Sequence, residues 1–435
     1  MNDRIHYLDS MRSVLMMLGV VLHAAQIFNP AGPWYVVAER PSALSGHLAE
    51  LIHLFRMPAF FVISGFFCAL TLDRYGPRRF VAVRMQRIAV PMVTAALTLG
   101  LLQAWLLDAT GRRAFDLVDW ATTGQWVSHL WFLLVLLVYF AGAAALAALA
   151  AGPVAALGRF AGALMRRVPV PALLVVLALA QVVVIGSYKL GYPLYDYVLA
   201  SSLSVYQLSV HLPYFVLGAV LFVDRALLAR FASVHPLVSV AIAAAALALL
   251  TLEPRLPEAL RYPWETWTKG VAALALVALC FRAFRAFADR PSSTWRVLSD
   301  ASYTVYLFHH VTVMALGALL VDRMPALAAL VLIIAATLAI TLAVHRWAIL
   351  PSPTLGYLFN GKTGTPLPER AGVPRRAATG GPSAAAPRAR GPRNPARRVR
   401  SRRSPSASRS APVPAPRRAR TRRPSARGSS LTTGA

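Results

Sequence analysis

Charge is scarce in this sequence, and negative charge is scarcer still. Asp, Glu, Lys and Arg make up 14% of 435 residues, well under the ~25% of a soluble domain. There are 17 acids against 45 basic residues. That balance excludes an ordinary water-soluble chain and leaves few carboxylates to neutralise a buried cation. The two cysteines, Cys68 and Cys280, sit in apolar runs. They form no CxxC and no metal spacing, so they read as buried thiols acting as small hydrophobes. There is no HExxH, no Asp-rich loop, no P-loop and no GxGxxG after a strand, and "GKTGT" at Gly361 lacks the Walker pattern. No metal and no cofactor are expected; any chemistry would be acid–base work by side chains. Alternating apolar and polar strands of about ten residues are also missing, which excludes a β-barrel. No small-residue site closes the first apolar run, so a cleaved signal peptide is not expected.

What is present is apolar length. The chain is 57% hydrophobic with a mean hydropathy of +0.55, and its apolar runs are long enough to cross a bilayer core of ~30 Å. The expected fold is an all-α integral membrane protein of about ten transmembrane helices, at 11–28, 51–72, 88–107, 129–151, 170–187, 206–223, 234–252, 267–287, 302–321 and 326–350. Residues 1–358 form the polytopic domain. Residues 359–435 read as a disordered, basic Arg/Pro/Ser/Ala-rich tail: from Gly361 onward there are 19 basic residues, one acid, and almost nothing large and apolar to bury. Basic residues in the short loops set the orientation. The loops after the second, fourth, sixth and eighth spans carry 14, and the alternate set carries seven. Both termini of the multi-pass chain are therefore expected in the cytoplasm.

In that orientation the intramembrane polar residues gather on the outer side. His23 lies towards the outer end of the first span, His53 and Arg56 near the outer end of the second, His129 with Trp131 opens the fourth, and His211 lies in the outer half of the sixth. Ionisable groups inside a membrane usually face a bundle interior or water, so the set reads as an extracytoplasmic cavity. His23 follows Arg12 by eleven residues, close to three helical turns or about 16 Å, which puts both on one face. Asp9 lies one turn before Arg12, where it can pair with it. In "HLFRMPAFFVISGFF", His53, Arg56, Phe60 and Ser64 share a face, Pro58 removes a backbone hydrogen bond, and Ser64–Gly65 offers a small surface for close helix contact. In the ninth span Ser302, Tyr306 and His309 share a face, with His310 turned towards Tyr303. An arginine at mid-span costs roughly 2.5–3.5 kcal/mol on insertion scales, so Arg56 needs a partner or a ligand. His211 and His345, each taken alone, read as helix–helix hydrogen-bonding groups. Trp131 suits the interfacial aromatic belt and the cavity equally, and Arg84 and Arg87 read as positive-inside anchors before donor ligands.

The stretches "YLDSMRSVLMMLGVVLH", "HLFRMPAFFVISGFF", "VRMQRIAVPM" and "SHLWFLLVLLV" resemble, in order and spacing, the membrane acyltransferase 3 family, in its glucan-modifying branch. The resemblance covers about residues 5–350 and leaves out the tail. It implies a multi-pass enzyme of the bacterial inner membrane that moves an acyl group, succinyl in that branch, from a cytoplasmic acyl-CoA to a hydroxyl of a periplasmic glycan such as an osmoregulated glucan. Arg12 and His23 match the family's critical pair, and Arg56, Ser64 and Gly65 its second motif. On chemical grounds, imidazole can take the hydroxyl proton and a fixed guanidinium can stabilise a developing oxyanion. The expected catalytic residues are His23, Arg12 and Arg56; the expected substrate-binding residues are His53, Ser64, His129, Trp131, Tyr306 and His309. His23 as a general base and His23 as a transiently acylated nucleophile both remain open.

The competing reading is a transporter or flippase in which the polar column is a substrate path; the absence of an internal repeat weighs against it. Membrane lipids are expected partners. The basic tail is expected at anionic headgroups, each nearby basic residue adding ~1 kcal/mol, and no specific nucleic acid is expected.

Overall fold

The structure, a computed structural model, describes residues 5–362 apart from residue 33. Among the described residues ten helices are long and apolar enough to cross a membrane: His6–Gln26, Ala43–Tyr75, Pro77–Ala109, Ser128–Leu149, Val170–Leu190, Val205–Val223, Pro236–Arg255, Glu258–Phe287, Ser293–Leu320 and Ala326–Ile349. They are called here the first to tenth spans. All ten expected spans are found, several longer than expected because polar turns extend them past the apolar run. The second starts at Ala43, where the Ser42 hydroxyl accepts from the Ser45 amide, and continues through Pro58.

Burial orders the bundle. In the second span 72% of the apolar window is inside the protein, but in the seventh only 17% is. The second therefore lies in the middle and the seventh faces lipid. The second and sixth spans cross at backbone contact, as the Ser64–Gly65 pair suggested. A Cβ on Gly65 would land on the Phe215 carbonyl, and one on Gly218 would land on the Val62 carbonyl. Without a hydrophobic drive inside lipid, such small-residue contacts hold helices together by dispersion.

Three π turns interrupt the helices, at Met85–Ala89 and Ala96–Gly100 in the third span and at His345–Ile349 in the tenth. Such turns are frequent at functional sites, and the first holds Arg87 just after Arg84. Between the fourth and fifth spans, where a loop was expected, Ala151–Arg166 is an amphipathic helix. Arg166 pairs with Asp224, and the missing side chain of Gly162 makes room for that carboxylate. A short antiparallel pair, Tyr197–Val198 with Leu203–Ser204, joins the fifth span to the sixth.

The last helix among the described residues is Pro353–Asn360. The Thr304 hydroxyl ties it down, donating to Asn360 Oδ1 at 3.2 Å. Thr304 also lies 2.8 Å from His345 Nδ1, the helix–helix bond expected of His345. The boundary expected at 358/359 falls inside this helix, since Phe359 and Asn360 are buried. These helices belong to one compact unit. The rest of the expected tail, from residue 363, lies outside the described residues.

Candidate active site

Four imidazoles meet where the first, fourth and ninth spans converge. His23 lies 5.2 Å from His309 and 4.9 Å from His310, ring centroid to centroid. His129 stacks on His310 at 4.6 Å and meets His309 edge-on at 5.4 Å. Trp34, from the loop after the first span, stacks on His23 at 5.4 Å. That loop is folded back over the helix end by backbone bonds from Ala38 to Ile27 and from Ser42 to Phe28.

Hydrogen bonds orient the rings. His309 Nδ1 is 2.6 Å from the Tyr306 carbonyl. A carbonyl only accepts, so Nδ1 carries the proton and Nε2 keeps the lone pair of the neutral ring. Tyr306 donates its hydroxyl to the His129 carbonyl at 2.8 Å. Gln103 Oε1 holds His310 Nδ1 at 2.5 Å. Several polar atoms here are buried without a partner: His23 Nδ1, both ring nitrogens of His129, His309 Nε2 and Trp34 Nε1. Buried polar atoms normally find a partner in protein or water, so this group is where a ligand would complete the bonding.

Arg56 reaches the cluster from the second span. It is buried and donates through Nε to the Leu15 carbonyl at 2.8 Å. No carboxylate pairs with it among the described residues. Its guanidinium fits because residue 19 is glycine: a Cβ there would be 2.6 Å from Arg56 Nη2 and 3.4 Å from His309 Nε2. A cavity of about 180 Å³ opens beside it, lined by His23, Gln26, Trp34, His53, Arg56, His129, Trp131 and Tyr306 among others.

A second cavity, about 250 Å³, lies at the other end of the first span, around Arg12. Arg12 is 3.9 Å from Asp9, the expected pair. Arg84 and Arg87 line the same cavity with Ser64, Ser302, Asp300 and Lys362. Arg84 donates to the Thr71 hydroxyl at 2.9 Å and the Phe67 carbonyl at 3.3 Å. It lies over the rings of Phe140 and Phe80, and its Nε is buried without a partner. Lys362 sits 3.5 Å from Asp300. Four cations and one carboxylate thus line this space, an environment for an anionic ligand.

The expected residues divide between these cavities. His23, Arg56, His53, His129, Trp131 and Tyr306 line the histidine cavity, with His309 against it; Arg12 and Ser64 line the arginine cavity. Three expectations change. The outer histidine quartet is not His23, His53, His129 and His211 but His23, His129, His309 and His310. His53 stands at the exposed edge, while His211 is bonded to the Gln207 carbonyl and packed on Phe61 and Trp131. His310 joins the cluster although Tyr303, on its side of the helix, lines the other cavity. Arg84 and Arg87 line a cavity rather than only anchoring a helix end. Trp34 and Gln103 were missed altogether. Among the described residues no group of His, Cys, Asp and Glu is arranged to hold a metal ion.

Comparison with known proteins shows the family to which the chain belongs. A family model described as "Acyltransferase domain" matches residues 5–346. The chain belongs to this acyltransferase family. Curated relatives include glucans biosynthesis protein C from Salmonella heidelberg (strain SL476), Salmonella paratyphi B (strain ATCC BAA-1250 / SPB7) and Salmonella gallinarum (strain 287/91 / NCTC 13346). Each is 28% identical over 398 residues, covering 85% of this chain and 98% of the relative. No solved structure matches.

In this multi-pass membrane acyltransferase the two cavities nearly touch. Met16, Phe60 and Phe132 line both. The Phe60 and Phe132 rings meet edge-to-face at 4.6 Å, and all three side chains are buried. They form a septum one side chain thick. The face of the first span that carries Arg12, Met16 and His23 runs past it from one cavity to the other.

Proposed function

We propose that this acyltransferase moves an acyl group across the septum, from an acyl-CoA in the arginine cavity to a glycan hydroxyl in the histidine cavity. By the loop-charge count, the arginine cavity faces the cytoplasm of a bacterial cell and the histidine cavity faces the periplasm, in the inner membrane. The observation that carries the reading is Arg56: a buried guanidinium with no carboxylate partner among the described residues, set beside His23, His129 and His309, each of which has at least one buried ring nitrogen without a partner. Such a group awaits negative charge, and an acyl transfer creates it on the carbonyl oxygen of the tetrahedral intermediate.

The steps balance with side chains alone. Arg12, Arg84, Arg87 and Lys362 hold the phosphates of the donor, guanidinium and ammonium both being suited to them. The thioester passes between Phe60 and Phe132. His23 takes the proton of the acceptor hydroxyl, whose oxygen attacks the thioester carbonyl. Arg56 stabilises the oxyanion. The C–S bond breaks, and the thiolate leaves with the proton carried by His23. The relatives' name points to a glucan as the acceptor. The acyl group is proposed to be succinyl, a short anion that suits cavities with cations on both sides of the septum.

The test is mass analysis of periplasmic glycans from cells with the native gene, without it, and with His23→Ala. Acylated glucan is expected only with the native gene. Unchanged acylation in the His23→Ala strain would remove His23 from the chemistry. Export of unmodified glycan with no acylation would replace transfer by transport.

A further inference from the structure

A third cavity, about 360 Å³, adjoins the histidine cavity and shares His129 with it. Its walls come from the third span, the start of the fourth, and the loops after the first, third and fifth spans. Those loops all lie on one side of the membrane, the side of the histidine cluster. We propose that this vestibule is the acceptor site, a cleft for a neutral sugar chain that presents one hydroxyl to the histidines. The inference rests on the acyl-transfer reading and assigns its second substrate to residues.

Lining chemistry carries the argument. Trp120, Trp126 and Tyr197 supply aromatic surface, and Thr123, Gln125 and Ser201 supply hydroxyl and amide groups beside it. A pyranose needs that pair of features: its C–H faces pack on aromatic rings, and its hydroxyls bond to neutral donors and acceptors. Tyr and Trp serve well because they join apolar area to a polar handle. Among the described residues no carboxylate lines the vestibule, and the one guanidinium that does, Arg113, lies over the Tyr35 ring. A cationic ligand finds no carboxylate to pair with in that lining. The volume lies within the ~300–1,000 Å³ usual for small-ligand sites, and the chain of a longer glycan can run out through the open side.

The backbone shows the same wall being held in place. Gly124 has φ of +75° and packs so closely on the Ser201 carbonyl that a Cβ would overlap it. Ser201 and Ser128 also have positive φ, +59° and +38°. Strained non-glycine backbone persists where surrounding structure over-determines it, often at ligand sites. Here the loop after the third span is fixed against the loop after the fifth at Gly124 and Ser201, and the strained Ser128 immediately precedes His129. Gln103 then connects the vestibule to the cluster, since it lines the cavity and holds His310.

The test uses the full-length protein in two assays. Tryptophan fluorescence in detergent is titrated with a neutral glucose oligomer, and separately with an anionic uronic-acid oligomer of the same length, without donor. Saturable quenching by the glucose oligomer is expected in the native protein and is expected to weaken at least tenfold in Tyr197→Ala and Gln125→Ala. In proteoliposomes supplied with acyl-CoA, the same variants are expected to raise the acceptor KM about tenfold and leave the donor KM unchanged. Native acceptor KM and native quenching in both variants would overturn the assignment, as would binding of the anionic oligomer alone. If acyl transfer is absent from the native protein while quenching persists, the transfer reading fails and the sugar cleft stands.

Discussion

Replacing Gly19 by alanine separates the role of Arg56 from the stability of the fold. The added Cβ would lie 2.6 Å from Arg56 Nη2, where ordinary contact begins at 3.4 Å. The helix backbone holds Gly19, so the guanidinium must yield, by about 0.8 Å. A misplacement of about 1 Å at reacting groups can cost ~10²-fold in rate, so kcat is expected to fall ten- to a hundredfold. Stability should move the other way, because alanine replaces glycine inside a helix and gains roughly 0.5–1 kcal/mol. The assay pairs transfer of labelled acyl groups in proteoliposomes with a thermal melt in detergent. A double variant sharpens it. Arg56→Gln alone is expected to cost ~10²–10³-fold, as removal of an oxyanion donor does, and adding Gly19→Ala should cost nothing further, since both act through one guanidinium. Rate losses that multiply would refute the reasoning, and so would a Gly19→Ala protein that melts early.

Other perturbations read the remaining parts. Arg84→Gln should raise the acyl-CoA KM about tenfold or more with kcat nearly unchanged, because a charge-assisted bond is worth ~1.5–3 kcal/mol; steady-state kinetics with varied donor check this. Phe60→Leu, which thins the septum with little loss of packing, should shift the donor profile towards longer acyl chains in a competition assay. Gly218→Leu should prevent the sixth span from meeting the second, whose Val62 carbonyl it touches, and membrane levels of the protein should fall to near background by immunoblot. Rapid quench of a single turnover should leave no label on the protein if His23 acts as a base, whereas an acyl-histidine would carry it.

The ten spans were legible because a bilayer demands long apolar runs, and such runs are visible without any tertiary information. The single face of Arg12 and His23 was legible for a similar reason: eleven residues are almost three turns, and a helix held straight keeps that register. The partners of a residue across the bundle were another matter. His309 and His310 differ by about 100° around the helix, and no periodicity tells that the ninth span is wrapped by neighbours on both sides. Trp34 reaches His23 only because the loop after the first span folds back. His211 looked equivalent to His23 in depth, but its neighbours are Phe61 and Trp131, and depth says nothing about rotation. Arg84 had the position of an anchor; its burial under Phe80 and Phe140 comes from the third span's turn towards the fourth, beside a π turn that the sequence does not announce.

The central claim is that the two cavities are the two ends of one reaction across the membrane. It can be tested in proteoliposomes of fixed orientation, with acyl-CoA on the Arg12 side only and a glucose oligomer on the His23 side only. Labelled acyl groups should appear on the oligomer, and the product should vanish with Arg12→Gln or with His23→Ala. Product formed only when donor and acceptor share one side would contradict the account.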